Sequence, residues 1–182
     1  MTVVALGKAG GREMMAGSDL DLMFIYDHPD GETESRVARG SGARRLPVSQ
    51  WFVRAAHSYV AALTAPGAEG QLYAIDMRLR PSGNKGPVAV ALAGFERYHA
   101  ESAWTWEHMA LTRSRMLAAP PVFAAKIDKI IRSVLCRQRS AAEIAGDVCE
   151  MREAVANERG EGERWNIKDA AGGLLDIEFI AQ

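Results

Sequence analysis

Apolar runs in the first part of the chain predict β-strands. Residues 3–6 and 20–26 form short, nearly continuous apolar runs rich in valine, leucine and aromatic side chains, and residues 71–80 alternate between apolar and polar positions. Both patterns are typical of strands. We therefore expect a sheet built from at least these three segments.

A glycine-rich segment separates the first two predicted strands. Gly7, Gly10 and Gly11 permit a tight turn and a close approach of the backbone to a ligand, and residues 12–15 can form a short helix. The N–H groups of such a turn could hold phosphate oxygens. A plain connecting turn explains the same glycines, so the pattern alone leaves both interpretations open.

Helical periodicity dominates the rest of the chain. Residues 47–65 carry apolar side chains at helical spacing, residues 28–46 have no period and predict a long loop, and helices follow one another from Leu92 onward. We predict an α/β (α+β) fold with a core over residues 1–91 and a mainly helical region over residues 92–182 that packs on it. The apolar stripes of the second region comprise Phe95, Tyr98, His99, Trp104, Trp106, Leu111 and Met116, then Phe123, Ile127, Ile130, Ile131 and Val134, then Ile144, Val148, Met151 and Val155.

Composition narrows the class of protein. The 182 residues are 48% hydrophobic and 25% charged, with a formal net charge of −1, which is ordinary for a soluble globular protein and gives no sign of a nucleic-acid or membrane partner. No basic-then-apolar leader and no apolar run of about 18 residues is present. Cys136 and Cys149 lack metal-site spacing, so we expect reduced, buried thiols in a cytoplasmic protein.

Both ends of the sequence fall close to predicted elements. An apolar strand begins directly after Met1 and Thr2, and the chain stops at Gln182 inside an apolar segment that predicts the start of a helix. We therefore expect the sequence to be a piece of a longer protein.

Asp19 and Asp21 are the first candidates for chemistry. In a strand, alternate residues share a face and lie about 6.6 Å apart, which suits carboxylates that hold a pair of Mg²⁺ ions about 3.5–4 Å apart. The same spacing of acids occurs elsewhere, for example at Glu161 and Glu163, but those acids lie in polar, glycine-containing segments. The alternative for Asp19 and Asp21 is a charged strand end that opposes aggregation.

Asp76 brings a third carboxylate within the predicted strand 71–80. If this strand pairs with the predicted strand 20–26, which contains Asp21, Asp76 completes a set of three carboxylates. Arg78, Arg80 and Lys85 lie close by in sequence and suit a triphosphate, because guanidinium groups bind phosphate oxygens in pairs and lysine acts as a point charge. A salt bridge within the strand is the alternative. Further along, Arg113 and Arg115 either reach back to this site or stay in solvent.

With these residues in place, the chain resembles the glutamine synthetase adenylyltransferase family of bacterial enzymes, which have two related nucleotidyltransferase halves. The resemblance covers almost the whole chain and rests on four blocks in the right order. They are Gly7-Lys8-Ala9-Gly10-Gly11-Arg12-Glu13 with Ser18-Asp19-Leu20-Asp21-Leu22; Asp76-Met77-Arg78-Leu79-Arg80-Pro81-Ser82-Gly83; Ala103-Trp104-Thr105-Trp106-Glu107-His108 with Ala110-Leu111-Thr112-Arg113; and Lys168 with Gly172-Gly173-Leu174-Leu175-Asp176-Ile177-Glu178-Phe179.

The resemblance implies a polymerase-β-like nucleotidyltransferase core followed by helices. It makes Asp19, Asp21 and Asp76 the catalytic, metal-binding carboxylates for Mg²⁺ or Mn²⁺, with ATP as substrate. It also makes Gly10 and Gly11 the turn that faces the nucleotide phosphates. Together with these two glycines, we expect Ser18, Arg78, Arg80 and Lys85 to bind the nucleotide. The departures from the family are modest: Ala9 replaces a usual leucine, and Ala118-Ala119-Pro120 replaces a helix end that contains glycine.

Two features resemble the adenylylating half more than the deadenylylating half: the block 103–108 and the acidic ending 176–178. This resemblance implies transfer of AMP from ATP to a tyrosine of glutamine synthetase. The alternatives are the deadenylylating half, which removes AMP with phosphate, and a non-catalytic module that binds glutamine synthetase or the PII signal protein.

Overall fold

The computed structural model describes residues 1–37, 42–159 and 165–182, with the side chain of residue 159 left out. The described strands are β1 (Thr2–Ala5), β2 (Leu20–Tyr26), β3 (Ile75–Asp76), β4 (Ala89–Ala91) and β5 (Arg115–Ala118). The described α-helices are α1 (Gly7–Gly11), α2 (Val48–Thr64), α3 (Leu92–Glu101), α4 (Thr105–Leu111), α5 (Pro121–Leu135), α6 (Ala141–Arg159) and α7 (Leu174–Ala181), with a 3-10 turn at Gly83–Lys85. The predicted mixed α/β class is confirmed.

Strand β2 is the centre of the sheet. One edge pairs antiparallel with β1, which in turn pairs antiparallel with β5. The other edge pairs in parallel with β3 near its start and with β4 near its end. The strand is therefore hydrogen-bonded on both edges. Its residues 22–26 are all buried, which explains why they form a continuous apolar run.

Alternate residues of β2 pack into two separate apolar clusters. Met23 and Ile25 face the helices α3 and α5, where Phe95 and Ile127 are fully buried. On the other face, Leu22, Phe24 and Tyr26 pack against α2. Because side chains alternate along a strand, Asp21 shares the face of Met23 and Ile25. The acidic end of β2 thus opens on the side of the second helical region.

Several local predictions were wrong. The strand predicted over residues 71–80 is only two residues long, and the segment after it turns at residues 78–82. Met116 lies in β5 rather than in a helix, opposite Val4 of β1. Cys136 and Cys149 are free and exposed rather than buried. The helices predicted from the stripes after Pro121 are confirmed, and all five predicted side chains of α5 are buried.

The glycine segment forms a short helix, α1, where a turn was predicted, and the helix predicted over residues 12–15 is absent from the structure. Arg12 closes α1 in the left-handed conformation at φ 61°, and its N–H donates to the carbonyl of Lys8. That conformation ends a helix, so the chain turns away toward β2 instead of continuing as predicted.

Some predicted features lie outside the described residues. They include residues 38–41 of the predicted loop 28–46, and the acid pair Glu161 and Glu163. In the part of the chain that the structure describes, no helix combines the length and the apolar character that a membrane span requires.

His99 is a buried histidine in α3, as its place in the apolar stripe predicts. Its ring contacts the rings of Phe95, Tyr98 and His108, and neither ring nitrogen has a hydrogen-bond partner among the described residues. Burial first, and the neighbouring His108 second, lower the pKa of His99 to about 4. The folded protein therefore holds His99 neutral under conditions in which an unfolded chain would protonate it.

We expect this histidine to make the folded state less stable in mild acid. Between pH 6.5, the ordinary pKa of histidine, and about pH 4, the unfolded chain binds one more proton at this position than the folded chain does. The free energy of unfolding therefore decreases as the pH is lowered through this range, by up to about 1.4 kcal/mol for each pH unit. Urea unfolding at pH 7.5 and 5.5 should show a smaller loss for His99→Leu than for the unmodified chain. Replacing the exposed His57 with glutamine is the control, and an equal loss in His99→Leu would contradict the assignment.

Candidate functional site

Asp21 and Asp76 lie side by side on adjacent strands, as the sequence predicts. The parallel pairing of β2 with β3 places Leu20 opposite Ile75 and Asp21 opposite Asp76. A backbone hydrogen bond of 2.8 Å from Leu20 N–H to Ala74 O fixes this register. Neighbouring strands are about 4.8 Å apart, and paired residues point to the same face, so the two carboxylates form one acidic edge.

Asp21 is half-buried within a group of negative charges. Burial raises its pKa most, the charge of Asp76 raises it next and that of Asp19 third, while Arg78 and Arg113 act in the opposite direction. Asp19 lies just before β2 and is exposed. Asp76 and Asp19 thus both oppose a negative charge on Asp21, and a bound cation would relieve this repulsion.

Arg78 holds Asp76 in place. The backbone N–H of Arg78 donates to Asp76 Oδ1 at 2.8 Å, and the side-chain Nε donates to Oδ2 at 2.8 Å. The side-chain hydrogen bond is the largest cause of a lowered pKa at Asp76, which keeps this carboxyl ionised. The guanidinium of Arg78 is 73% exposed and therefore remains accessible to a ligand.

The carboxylate oxygens and the negative charge of the three aspartates suit a divalent cation, since Mg²⁺ prefers carboxylate oxygens as ligands. Among the described residues, however, no group of three His, Cys, Asp or Glu side chains is arranged so that it could hold a metal ion. Both oxygens of Asp76 accept hydrogen bonds from Arg78 in this arrangement. Holding a metal would therefore require a change in the position of these side chains.

Close contacts with glycine fix α1 against the acidic edge. A side chain at Gly7 would place its Cβ 2.3 Å from Asp21 Oδ2, and the φ of Gly7 is +50°. A Cβ at Gly10 would lie 1.7 Å from the carbonyl oxygen of Arg113. Glycine is therefore required at both positions for packing, and the predicted role of Gly10 and Gly11 at the phosphates stays a prediction.

Of the other residues predicted to bind nucleotide, Arg80 and Ser18 are buried and Lys85 is exposed. Arg80 is buried and donates to the carbonyl of Met77 at 2.6 Å and to that of Gly86 at 3.4 Å, so in this structure it stabilises the loop after β3. Ser18 is buried, and its Oγ accepts the N–H of Met15 at 3.1 Å. Lys85 is exposed on the 3-10 turn. The sequence predicted their proximity to the acids but not these internal contacts.

Arg113 and Arg115 both reach back to the glycine segment, where they contact residues 9–13, rather than staying in solvent. Arg113 Nη1 donates to Glu178 Oε1 of α7 at 2.9 Å, and its other terminal nitrogen donates to Glu13. Arg115 donates to the carbonyls of Ala9 at 2.6 Å and Gly10 at 3.2 Å. Arg115 thus joins α1 to β5, and Arg113 joins Glu13 to α7. No local pattern in the sequence could reveal these long-range contacts.

One cavity of the structure lies away from the acidic edge. Its volume is about 740 Å³, and its lining includes Arg36, Arg44, Arg45 and Arg54. These residues belong to the segment after β2 and to the first half of α2, whereas Asp21 lies at the start of β2. None of the predicted site residues lines this cavity.

Comparisons with known proteins identify the family. The sequence profile described as glutamate-ammonia ligase adenylyltransferase matches residues 1–130. A curated relative from Rhodopseudomonas palustris, named bifunctional glutamine synthetase adenylyltransferase/adenylyl-removing enzyme, is 52% identical over 180 residues, which cover 99% of this chain and 18% of the relative. Relatives of the same name are 51% identical over 180 residues in Xanthobacter autotrophicus and 48% identical over 182 residues in Brucella suis, and these matches cover 99% and 100% of this chain.

The chain spans 18% of the length of each of these relatives. The matched region contains β1 to β5, α1, and Asp19, Asp21 and Asp76. This chain therefore belongs to the glutamate-ammonia ligase adenylyltransferase family.

Proposed function

We propose that this chain is a nucleotidyltransferase unit that transfers AMP from ATP to a tyrosine hydroxyl of glutamine synthetase and releases pyrophosphate. The observation that supports this function most is the pairing of Asp21 with Asp76 on adjacent strands, with Asp19 close enough to raise the pKa of Asp21. The names of the relatives, which include an adenylyltransferase activity, support the choice of AMP as the transferred group. Under this proposal the core has a polymerase-β-like arrangement.

In the proposed mechanism, Asp19, Asp21 and Asp76 hold Mg²⁺ or Mn²⁺. When bound, the metal would neutralise charge at the reacting phosphate and activate the attacking oxygen. Asp76, which its bonds to Arg78 keep ionised, and the half-buried Asp21 supply negative charge at a fixed position on the sheet. Arg78, whose side chain is 73% exposed, would bind phosphate oxygens beside them.

The adenylyl-removing activity is the second candidate, because the names of the relatives carry both activities. The two are separated by incubating the complete protein that contains this chain with adenylylated glutamine synthetase and phosphate. The proposed function predicts that Asp21→Asn leaves phosphate-dependent release of AMP as ADP unchanged and abolishes AMP transfer from ATP. The opposite result would assign this chain to removal.

A non-catalytic module for glutamine synthetase or the PII protein is a third possibility. It predicts that the chain binds no ATP in the presence of Mg²⁺. Equilibrium dialysis of the complete protein with labelled ATP, with and without Mg²⁺, separates this possibility from the proposed function. The Asp21→Asn variant is measured in the same way. The proposed function predicts that this substitution removes a metal-dependent part of the binding.

We expect Arg78→Ala to raise the apparent KM for ATP, because it removes a cation beside the phosphates and also the partner of Asp76. Loss of charge-assisted hydrogen bonds predicts an increase of roughly tenfold. Steady-state kinetics at varied ATP concentration provide the measurement. Arg45→Ala is the control, since Arg45 is an exposed arginine that faces Glu34 on another part of the surface. Unchanged kinetics for Arg78→Ala would leave this arginine a purely structural role.

A further inference from the structure

A small apolar cavity adjoins the acidic edge. Its volume is about 210 Å³, and it lies where α4, α6 and α7 meet the start of α1 and the segment after β3. The side chains that form its apolar wall are Leu79, Trp106, Met109, Met151 and Phe179. Neither the sequence patterns nor the proposed roles of the aspartates account for this cavity.

Three contacts connect the cavity with the acidic edge. Gly7 lines the cavity and is packed so closely on Asp21 that an added Cβ would meet its carboxylate at 2.3 Å. Leu79 lines the cavity directly after Arg78, the partner of Asp76. Arg113 also lines the cavity, and its positive charge lowers the pKa of Asp21. A molecule in the cavity would therefore lie immediately beside the aspartates.

The walls of the cavity suit a flat aromatic ring. Trp106 is 38% exposed, so part of its ring is accessible, and two methionines and a phenylalanine complete an apolar, polarisable surface. Arg113, Glu178 and Gln182 supply the polar groups of the lining, and Arg113 donates a hydrogen bond of 2.9 Å to Glu178. The volume is below the roughly 300–1,000 Å³ of pockets that enclose whole drug-sized ligands, and therefore suits a single ring system rather than a complete nucleotide.

We propose that this cavity binds the purine base of the nucleotide whose phosphates lie at the acidic edge, with the base stacked on Trp106. This inference rests on the proposed function for the identity of the nucleotide, and on the cavity and its contacts for the position of the base. The base would then bind between the sheet-forming core and the later helices α4, α6 and α7. The helical region would in this way contribute directly to the choice of nucleotide.

The test is photolabelling of the complete protein that contains this chain with 8-azidoadenosine triphosphate, followed by mapping of the labelled peptides. We expect label in peptides that include Trp106 or Phe179. Trp106→Ala should reduce this labelling about tenfold or more, the scale of base–aromatic stacking, and Trp106→Phe should restore most of it. Trp104→Ala is the matched control, because Trp104 precedes the same helix but is 71% exposed and does not line the cavity.

Label found only in other segments, or labelling that Trp106→Ala leaves unchanged, would overturn the proposal. The same labelling with Asp21→Asn keeps the two hypotheses apart, because base binding in the cavity does not need catalysis. Cavity labelling combined with normal AMP transfer by Asp21→Asn would refute the proposed function alone. Absence of cavity labelling combined with loss of transfer in Asp21→Asn would refute only the position of the base.

Discussion

Replacing Asp21 with asparagine is expected to reduce AMP transfer by at least about 10²–10³-fold, the loss that follows removal of one charge-stabilising group in an active site. Asparagine keeps the shape of the side chain but removes the charge that would balance a divalent cation. We expect this substitution to leave the fold intact. Burial, Asp76 and Asp19 raise the pKa of Asp21, so its ionised form is disfavoured in the folded chain and a neutral side chain is expected to maintain or raise the melting temperature.

The measurement combines transfer from labelled ATP to glutamine synthetase with thermal melts of the same protein samples. Asp128→Asn is the matched control, since Asp128 is exposed on α5 and lies outside the acidic edge. Near-normal transfer by a well-folded Asp21→Asn protein would contradict the metal assignment, and most of the proposed mechanism with it.

Gly10→Ala is expected to destabilise the fold by about 3 kcal/mol or more, at or beyond the upper end for overpacked sites. The added methyl group would lie 1.7 Å from the carbonyl oxygen of Arg113 and 2.9 Å from that of Ala5. Both neighbours are backbone atoms, so the clash cannot be relieved by rotating a side chain. Either α1 moves away from β5 or the local structure is lost.

Urea unfolding monitored by circular dichroism measures this effect. Gly146→Ala is the control, because Gly146 is exposed in α6 and an added Cβ meets nothing within 4 Å. It should stabilise the protein by about 0.5–1 kcal/mol through the lower entropy of the unfolded chain. A Gly10→Ala protein as stable as the unmodified chain would contradict the close packing of α1.

Strand β2 and two of the helices could be predicted from the sequence because such predictions depend on local patterns. The apolar run of β2 is buried on both faces, and the helices α2 and α5 follow their periodic stripes. The pairing of Asp21 with Asp76 was predicted as a possibility from two acidic strand patterns, and the parallel register of β2 with β3 confirms it. Their role as metal ligands stays a prediction.

What the sequence could not predict depends on contacts between distant segments. The strand predicted over residues 71–80 ends at Asp76, where the carboxylate of Asp76 accepts the N–H of Arg78 as the chain turns. One such contact is the packing of Gly10 in α1 against the backbone carbonyl of Arg113, about 100 residues later. The clamp formed by Arg113 between Glu13 and Glu178 has the same long-range origin.

The most direct test of the central claim is a crystal structure of the complete protein with Mn²⁺ and a non-hydrolysable ATP analogue, with the metal located by anomalous scattering. The proposed function predicts metal peaks within about 2.5 Å of carboxylate oxygens of Asp19, Asp21 and Asp76, in contact with the triphosphate. Metal and triphosphate bound at another place on this chain, with the three aspartates free of metal, would contradict it.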